Sequence, residues 1–421
     1  MRILGAFLAA AAAAPARADV VEVPGTVPFS AIPGWEAGTT LDVLQPILAS
    51  CQRWAAMPAT YALGGDGDIQ TLGGTPAQWR TACTALNRVS QTLPPMPRPP
   101  RRMPRPRTAA FRALEEAKAQ AVVQRNLALR DALETHFVAM PAGTGLLTAY
   151  FEPVLRGALG PGAPFSVPLY ARPPELVDSP LPRGRRSWGA LRDGRVEPMP
   201  DRAAIGAGAL AGRGLEIAWI ADPLDAFLLH IQGSGRILLG NGATMRLGYA
   251  GQNGHPFRSV SGRGGRTLRE MISAAGGPEG ANAILGGNPS YVFLRRVEGL
   301  RDDQGPIGAL GVPLTPDRSV AVDREHVPLG APVFIVPSEE GRPRNAPPPP
   351  AARLAVAQDT GGMIRGPARA DLFTGWGSEA GARAMGVYHQ TAMFVLLPRP
   401  AEGTLVASRT ERTPPAAGPL P

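Results

Sequence analysis

Leu354-Ala355-Val356-Ala357-Gln358-Asp359-Thr360-Gly361-Gly362 and, a few residues on, Arg369-Ala370-Asp371-Leu372-Phe373 decide how this chain is read. Each joins a short apolar run to an aspartate in a glycine-bounded setting. Such runs fit a buried strand and are too short for a core helix. A third aspartate stands upstream in Ser319-Val320-Ala321-Val322-Asp323, followed by Val327-Pro328-Leu329-Gly330. A carboxyl group held against apolar strand ends loses hydration, which favours its protonated form. Cleavage of a glycosidic bond needs an acid of that kind near neutral pH. Taken one at a time, each aspartate reads equally well as a turn or cap carboxylate.

Outward from these segments the pattern is β-rich. Strands are expected at 146–151, 164–170, 215–220, 227–232, 236–239, 244–249, 291–296, 319–322, 332–336, 354–358, 370–373 and 392–397, with Asn241-Gly242 as a tight turn. Residues 180–202 read as loop. Gly 51 and Pro 47 in 421 residues, with 6% aromatics, favour short strands and turns over helical bundles. Many short strands of this kind point to a barrel rather than a doubly wound sheet. Helices are expected near the N-terminus, over 41–54, from Thr75-Pro76 through Trp79, Cys83 and Leu86, and from a Thr108 cap to Phe137. Another is expected over 267–275. Residues 93–107 form a proline-rich hinge, and 338–350 a polar excursion.

Met1-Arg2, the apolar run Ile3 to Ala14 and Ala16-Arg17-Ala18 have the layout of an export signal cleaved before Asp19. No cysteine follows the run, so no lipid anchor is expected. Cys51 and Cys83 are the sole cysteines, and in an exported chain they suggest one disulfide. The net charge of +9 comes almost wholly from arginine, Lys118 being the only lysine. Such a surface suits an anionic wall or membrane. The arginines are scattered and accompany no RNA- or DNA-binding motif, so no nucleic-acid partner is expected. His136, His230, His255, His326 and His389 stand apart from one another, with no HExxH spacing, so neither a metal nor any other cofactor is expected. His255 and His326 lie beside candidate site loops and are kept as substrate contacts.

Three further segments combine glycine with polar and aromatic groups. Phe227-Leu228-Leu229-His230-Ile231-Gln232-Gly233-Ser234-Gly235-Arg236 brings donors and acceptors next to backbone that a ligand can approach. Leu247-Gly248-Tyr249-Ala250-Gly251-Gln252-Asn253-Gly254-His255 offers a ring for a sugar face and amides for its hydroxyls. Gly145-Leu146-Leu147-Thr148-Ala149-Tyr150-Phe151-Glu152-Pro153 is a third candidate wall. Each is also compatible with an ordinary turn or core strand.

Taken together, these segments resemble the membrane-bound lytic murein transglycosylase A family. The resemblance runs from Tyr150–Pro153 through Ile231–Arg236, Gly248–Gly251, Asn253-Gly254, Asn288-Pro289-Ser290-Tyr291-Val292-Phe293 and Gly308–Thr315. It ends in a module named for three aspartates, here Asp323, Asp359 and Asp371. The implied fold is mainly β with N-terminal helices: a double-psi β-barrel, an inserted second β-rich domain, and a groove between them. The implied division is a signal at 1–18, a helical region with its linker at 19–107, the barrel at 108–154 plus 288–398, the insertion at 155–287 and a disordered tail at 399–421.

The implied activity is cleavage of the MurNAc–GlcNAc β-1,4 bond of peptidoglycan, leaving 1,6-anhydro-MurNAc ends. Because the sugar's own C6 hydroxyl is the nucleophile, one carboxyl group can serve as acid and then base, unlike the usual carboxylate pair of glycosidases. Asp371 takes that role, Asp359 tunes it as a like-charged neighbour, and Asp323 is structural. Thr148, Tyr150, Gln232, Gly233, Ser234, Gly235, Tyr249, Asn253, Gly361 and Gly362 are the expected glycan contacts. The mature chain is expected in the periplasm as a monomer on peptidoglycan strands, held to the outer membrane or wall by weak contacts at most. A non-catalytic wall-binding barrel, an aspartic peptidase suggested by Asp359-Thr360-Gly361, and a hydrolase using water are the alternatives.

Overall fold

A computed structural model of the chain describes residues 23–98, 106, 108–180, 186–338 and 348–400. The expected export signal, most of the proline-rich hinge beyond residue 98, the core of the 338–350 excursion and the expected tail beyond residue 400 lie outside the described residues. Helices precede the sheets: α1 (Trp35–Gly38), α2 (Leu44–Ala55), α3 (Gly67–Gly73), α4 (Pro76–Thr92) and α5 (Ala109–His136). Thr75 and Gln78 form a capping box at the start of α4, and Thr108 Oγ1 accepts from Phe111 N–H to start α5. Cys51 and Cys83 form a disulfide that ties α2 to α4, with Cα atoms 5.7 Å apart.

Helix α5 runs directly into β1 (Phe137–Glu152), the longest strand of a closed barrel. Its other strands are β11 (Ser319–Val322), β12 (Pro332–Pro337), β13 (Arg353–Asp359), β14 (Ala370–Trp376) and β15 (Tyr388–Pro398), in the order β1-β14-β11-β13-β12-β15. The pairs β1/β14 and β11/β13 are parallel and the remainder antiparallel, a mixed closed barrel of the kind expected. Val320, Val333, Phe334, Val356, Phe373 and Val395 are fully buried, which accounts for the near-continuous apolar runs of these strands.

Between β1 and β11 the chain builds a second sheet, β10-β9-β8-β2-β7-β3. Its strands are β2 (Val154–Ala158), β3 (Val167–Tyr170), β7 (Glu216–Ile220), β8 (Ser234–Leu239), β9 (Thr244–Gln252) and β10 (Val292–Val297). Strand β10 pairs with β9 and so belongs to the insertion, whose sheet extends past residue 287, where the sequence placed its end. A smaller sheet holds β4 (Leu176–Pro180), β5 (Arg186–Arg192) and β6 (Arg195–Glu197), the last two in the segment 180–202 expected to be loop. The remaining helices are α6 (Arg202–Gly206), α7 (Pro223–Gln232), α8 (Leu268–Ala275), α9 (Gly277–Leu285) and α10 (Gly377–Met385).

Helix α7 replaces an expected strand at 227–232. Asp222 caps it by accepting from Leu224 N–H at 2.8 Å, Pro223 opens its first turn, and Gly233 ends it in the left-handed region at φ 77°. Arg399, assigned to the tail from sequence, instead donates to the carbonyls of Glu134, Thr135 and Phe137 at 3.1, 3.0 and 2.9 Å.

The N-terminal helices brace the barrel. Trp54 stacks on Trp79 with centroids 4.4 Å apart and donates from Nε1 to Leu329 O at 3.1 Å. Its ring covers Gly330 so closely that a Cβ there would lie 2.4 Å from Cζ2. Gln358, fully buried, accepts from Ser319 Oγ at 2.6 Å and donates to Pro46 O of α2 at 2.8 Å. The residue before Asp359 is thereby fixed from two sides.

Candidate active site

The register of the barrel places Thr148, Asp371, Ala321 and Asp359 on one transverse row. Thr148 of β1 pairs with Asp371 of β14, Asp371 pairs with Ala321 of β11, and Ala321 pairs with Asp359 of β13. On the other side of Thr148 the row continues to Tyr388 of β15, which is 73% exposed. Neighbours in such a row stand about 4.8 Å apart, so Asp371 and Asp359 are separated by two strand spacings, roughly 10 Å between Cα atoms.

Both carboxyl groups are half-buried and each has its own donors. Thr148 Oγ1 donates to Asp371 Oδ1, and Arg369 Nη2 donates to Thr148 Oγ1 at 2.8 Å. Tyr150 Oη donates to Asp359 Oδ2 at 2.7 Å, and Ala309 N–H donates to Asp359 Oδ1 at 2.9 Å. The loop carrying Ala309 is held by Leu310, whose N–H donates to Gln358 O at 3.0 Å and whose carbonyl accepts from Arg53 Nε of α2 at 3.0 Å.

Burial pushes the pKa of Asp371 above the ordinary aspartate value, while the Thr148 hydrogen bond and the Arg369 charge draw it back. Burial also lifts Asp359, against the hydrogen bonds from Tyr150, Thr360 and Ala309; the charge of Asp371 adds the smallest contribution. Desolvation leads the elevation of both groups, and the two carboxyl groups repel one another.

The expected glycan contacts divide. Thr148 and Tyr150 spend their hydroxyl protons on the two aspartates, and Tyr150, 9% exposed and packed on Phe373 at 5.4 Å, presents no free ring for a sugar. Burial and the adjacent aspartates push the Tyr150 pKa well above the usual phenol value, so it stays a donor. Asn253, also expected to meet sugar, is wholly buried; its Nδ2 donates to Pro200 O and Pro289 O at 3.0 and 2.8 Å, and its Oδ1 accepts from Tyr291 N–H at 2.8 Å. Its amide is consumed by backbone, and its place is that of a clamp within the insertion.

Gln232 Oε1 accepts from Phe151 N–H at 2.9 Å, which brings the end of α7 against β1 beside the aspartate row. Gly233 turns the chain, and Ser234 and Gly235 enter β8, buried. A Cβ on Gly235 would strike Leu229 Cδ1 at 2.7 Å, so this glycine serves packing. Tyr249 is 44% exposed and meets Trp188 edge-to-face at 6.2 Å, and burial around its hydroxyl pushes its pKa above the usual phenol value. Gly361 and Gly362 follow Asp359 in a turn closed by Ile364 N–H to Gly361 O at 3.0 Å.

Asp323 is buried at the end of β11; its Oδ2 accepts from Gly366 N–H at 2.9 Å and its Oδ1 from Glu325 N–H at 3.2 Å. His255 pairs through Nε2 with Met199 O at 2.8 Å, and His326 through Nδ1 with Asp66 Oδ2 at 2.7 Å, so both have protein partners. Sequence reasoning missed Arg369 and the Ala309 amide as parts of the site. Arg369 stood in the quoted aspartate segment, two residues from Asp371, and an arginine so near an acid was the available signal.

Beside the row, Glu152 at the end of β1 is fully buried between Arg236 of β8 and Arg246 of β9, at 2.7 and 3.2 Å. Arg236 also lies 4.1 Å from the ring centroid of Trp376, at the end of β14. Barrel and insertion therefore meet through buried charge, with Gln304 O accepting from both guanidinium groups.

Comparisons with known proteins follow this division. A family model described as the MltA specific insert domain matches residues 146–295, and one described as the 3D domain matches 318–398. The membrane-bound lytic murein transglycosylase A of Escherichia coli K12 is 32% identical over 279 residues, covering 62% of this chain and 68% of that protein. The crystal structure of a membrane-bound lytic murein transglycosylase from Agrobacterium tumefaciens superposes with a TM-score of 0.67 at 29% identity, covering 89% of this chain and 97% of that one. The E. coli MltA structure with bound chitohexaose shares the fold at a TM-score of 0.55 and 24% identity, with 86% and 92% coverage.

Proposed function

The chain belongs to the membrane-bound lytic murein transglycosylase A family, enzymes acting on peptidoglycan, and from that premise we propose that it cleaves the MurNAc–GlcNAc β-1,4 bond with Asp371 as its single acid and base. The observation that carries the reading is the state of Asp371: a half-buried carboxyl group lifted by desolvation, with one oxygen held by Thr148. Protonated Asp371 gives its proton to the glycosidic oxygen as the C1–O bond breaks. The C6 hydroxyl oxygen of the same MurNAc then bonds to C1, and its proton passes to the Asp371 carboxylate. The ring closes as a 1,6-anhydro sugar, the acid is regenerated, and no water is consumed.

Asp359, held by Tyr150 and Ala309, keeps the loop beyond β13 in place under the glycan. Gln232, Tyr249, Gly361 and Gly362 line the path of the strand between barrel and insertion, and Asp323 fixes the turn after β11. The N-terminal segment directs export, and the enzyme works as a monomer in the periplasm. No described helix is long and apolar enough to cross a membrane.

The test is release of soluble muropeptides from purified sacculi. Asp371→Asn is expected to lose activity by a factor of about 100 to 10,000, the worth of a positioned acid–base group, while its circular dichroism stays that of the wild type. A folded Asp371→Asn enzyme with near wild-type release would overturn the assignment.

A further inference from the structure

Arg369 precedes β14 and turns its guanidinium back over β1, with Nη1 donating to Leu146 O at 3.1 Å and Nη2 to Thr148 Oγ1 at 2.8 Å. A guanidinium has donors and no acceptor, so Thr148 Oγ1 is the acceptor of that bond. A threonine hydroxyl has one proton, and the neighbour left to receive it is Asp371 Oδ1. The polarity of the chain is therefore fixed: Arg369 to Thr148, Thr148 to Asp371 Oδ1. Among the described residues no hydrogen-bond partner meets Asp371 Oδ2.

We propose that Arg369 and Thr148 are positioning residues that assign the two oxygens of Asp371 different tasks, Oδ1 as a permanent acceptor and Oδ2 as the atom that carries the catalytic proton. The proposal rests on the reading of Asp371 as the acid and base. A carboxyl group whose Oδ1 already receives a proton donor takes its own proton on Oδ2. That oxygen then protonates the leaving glycosidic oxygen and takes the proton back from the C6 hydroxyl. One orientation serves both steps, so the side chain need not rotate between them.

The same relay bears on the balance of forms. Asp371 must be an acid in the first step and a carboxylate in the second. Burial favours the acid; the Thr148 hydrogen bond and the Arg369 charge favour the carboxylate. The other titratable groups around the row are Asp359 on β13, Tyr150 on β1 and Tyr388 on β15, the last of which stands next to Arg369 electrostatically.

The experiment is a double-variant cycle on sacculus digestion, read as kcat, KM and the pH profile of kcat/KM. Thr148→Val is expected to lower kcat about 10- to 100-fold, the worth of a hydrogen bond to a charged group, with KM little changed. Its falling limb at high pH moves upward, because the carboxylate has lost its donor. Arg369→Met moves kcat and the limb in the same direction. The double variant loses less than the product of the two single losses, since Arg369 acts in part through the hydroxyl, while loss of its charge still moves the limb. Thr148→Ser restores rate and profile.

Additive losses, a change in KM alone, an unmoved limb, or a Thr148→Val enzyme as fast as Thr148→Ser would overturn the relay. Should Arg369→Met fail to fold by thermal melting, Arg369→Lys replaces it; a point ammonium cannot hold both Leu146 O and Thr148 Oγ1 as a fork does, and kcat must still fall. Asp371→Asn is run alongside. If it stays active, the underlying reading has failed; if it is dead while the cycle is additive, only the relay has.

Discussion

The proposed mechanism asks Asp371 to exist in two protonation states, and a stability signature goes with its burial. Its folded pKa lies above the ordinary value of 3.8 because of burial. The folded state then binds the proton more tightly than the unfolded chain, so stability falls as pH rises from 3.8 through the folded pKa and stays reduced above it. Asp371→Asn is therefore expected to melt at a higher temperature than wild type at pH 7, with the gain disappearing as the pH approaches the ordinary aspartate range. Melting curves across that range check it; an unchanged difference at all pH values would contradict the assigned cause. Asp371, Asp359 and Asp323 were legible as residues, because carboxylates in apolar strand ends are unusual. Their donors were not. Thr148 meets Asp371 through a parallel pairing between segments far apart in sequence, and nothing local in either strand encodes that register. Tyr150 and Asn253 were read as sugar contacts because their chemistry suits sugars; burial and backbone acceptors had already claimed them.

Helix α7 shows what a period-based reading loses. Phe227–Gln232 is apolar enough to pass for a strand, yet Asp222-Pro223 ahead of it and Gly233 behind it are helix start and stop signals. Likewise Asp193-Gly194, both at positive φ of 47° and 76°, is the tight turn of a hairpin in a stretch read as loop. At this level the junction of barrel and insertion invites a test. Glu152 is 0% exposed and shares its carboxylate between Arg236 and Arg246. Glu152→Gln leaves two buried guanidinium groups without their counter-charge and is expected to cost about 3–5 kcal/mol. Urea unfolding measures this; a loss below about 1 kcal/mol would show that the pocket rehydrates. Arg236 over Trp376 predicts that the same variant also slows sacculus digestion, because the seat of the insertion on the barrel is disturbed.

The fold class was legible from many short apolar strands punctuated by glycine and proline, and the helices before them from their caps. The strand order of the closed barrel was not, since it depends on chain segments separated by an entire inserted sheet. The N-terminal helices look peripheral in sequence but support the site through Gln358, Arg53 and the Trp54–Gly330 contact. The disulfide between Cys51 and Cys83, 32 residues apart, restrains the unfolded chain by about 3–4 kcal/mol on a loop-closure reckoning. The Cys51→Ser/Cys83→Ser variant should lose stability of that order in denaturant titration and become insensitive to reductant. A variant as stable as the oxidised wild type would show that α2 and α4 hold without the bond.

Digestion of sacculi in heavy-oxygen water, followed by mass analysis of the released muropeptides, tests the central claim most directly. Intramolecular closure by the C6 hydroxyl, driven by Asp371, predicts anhydro termini with no solvent oxygen in them. Reducing termini that carry one heavy oxygen would mean that water is the nucleophile, and would contradict the single-carboxyl account.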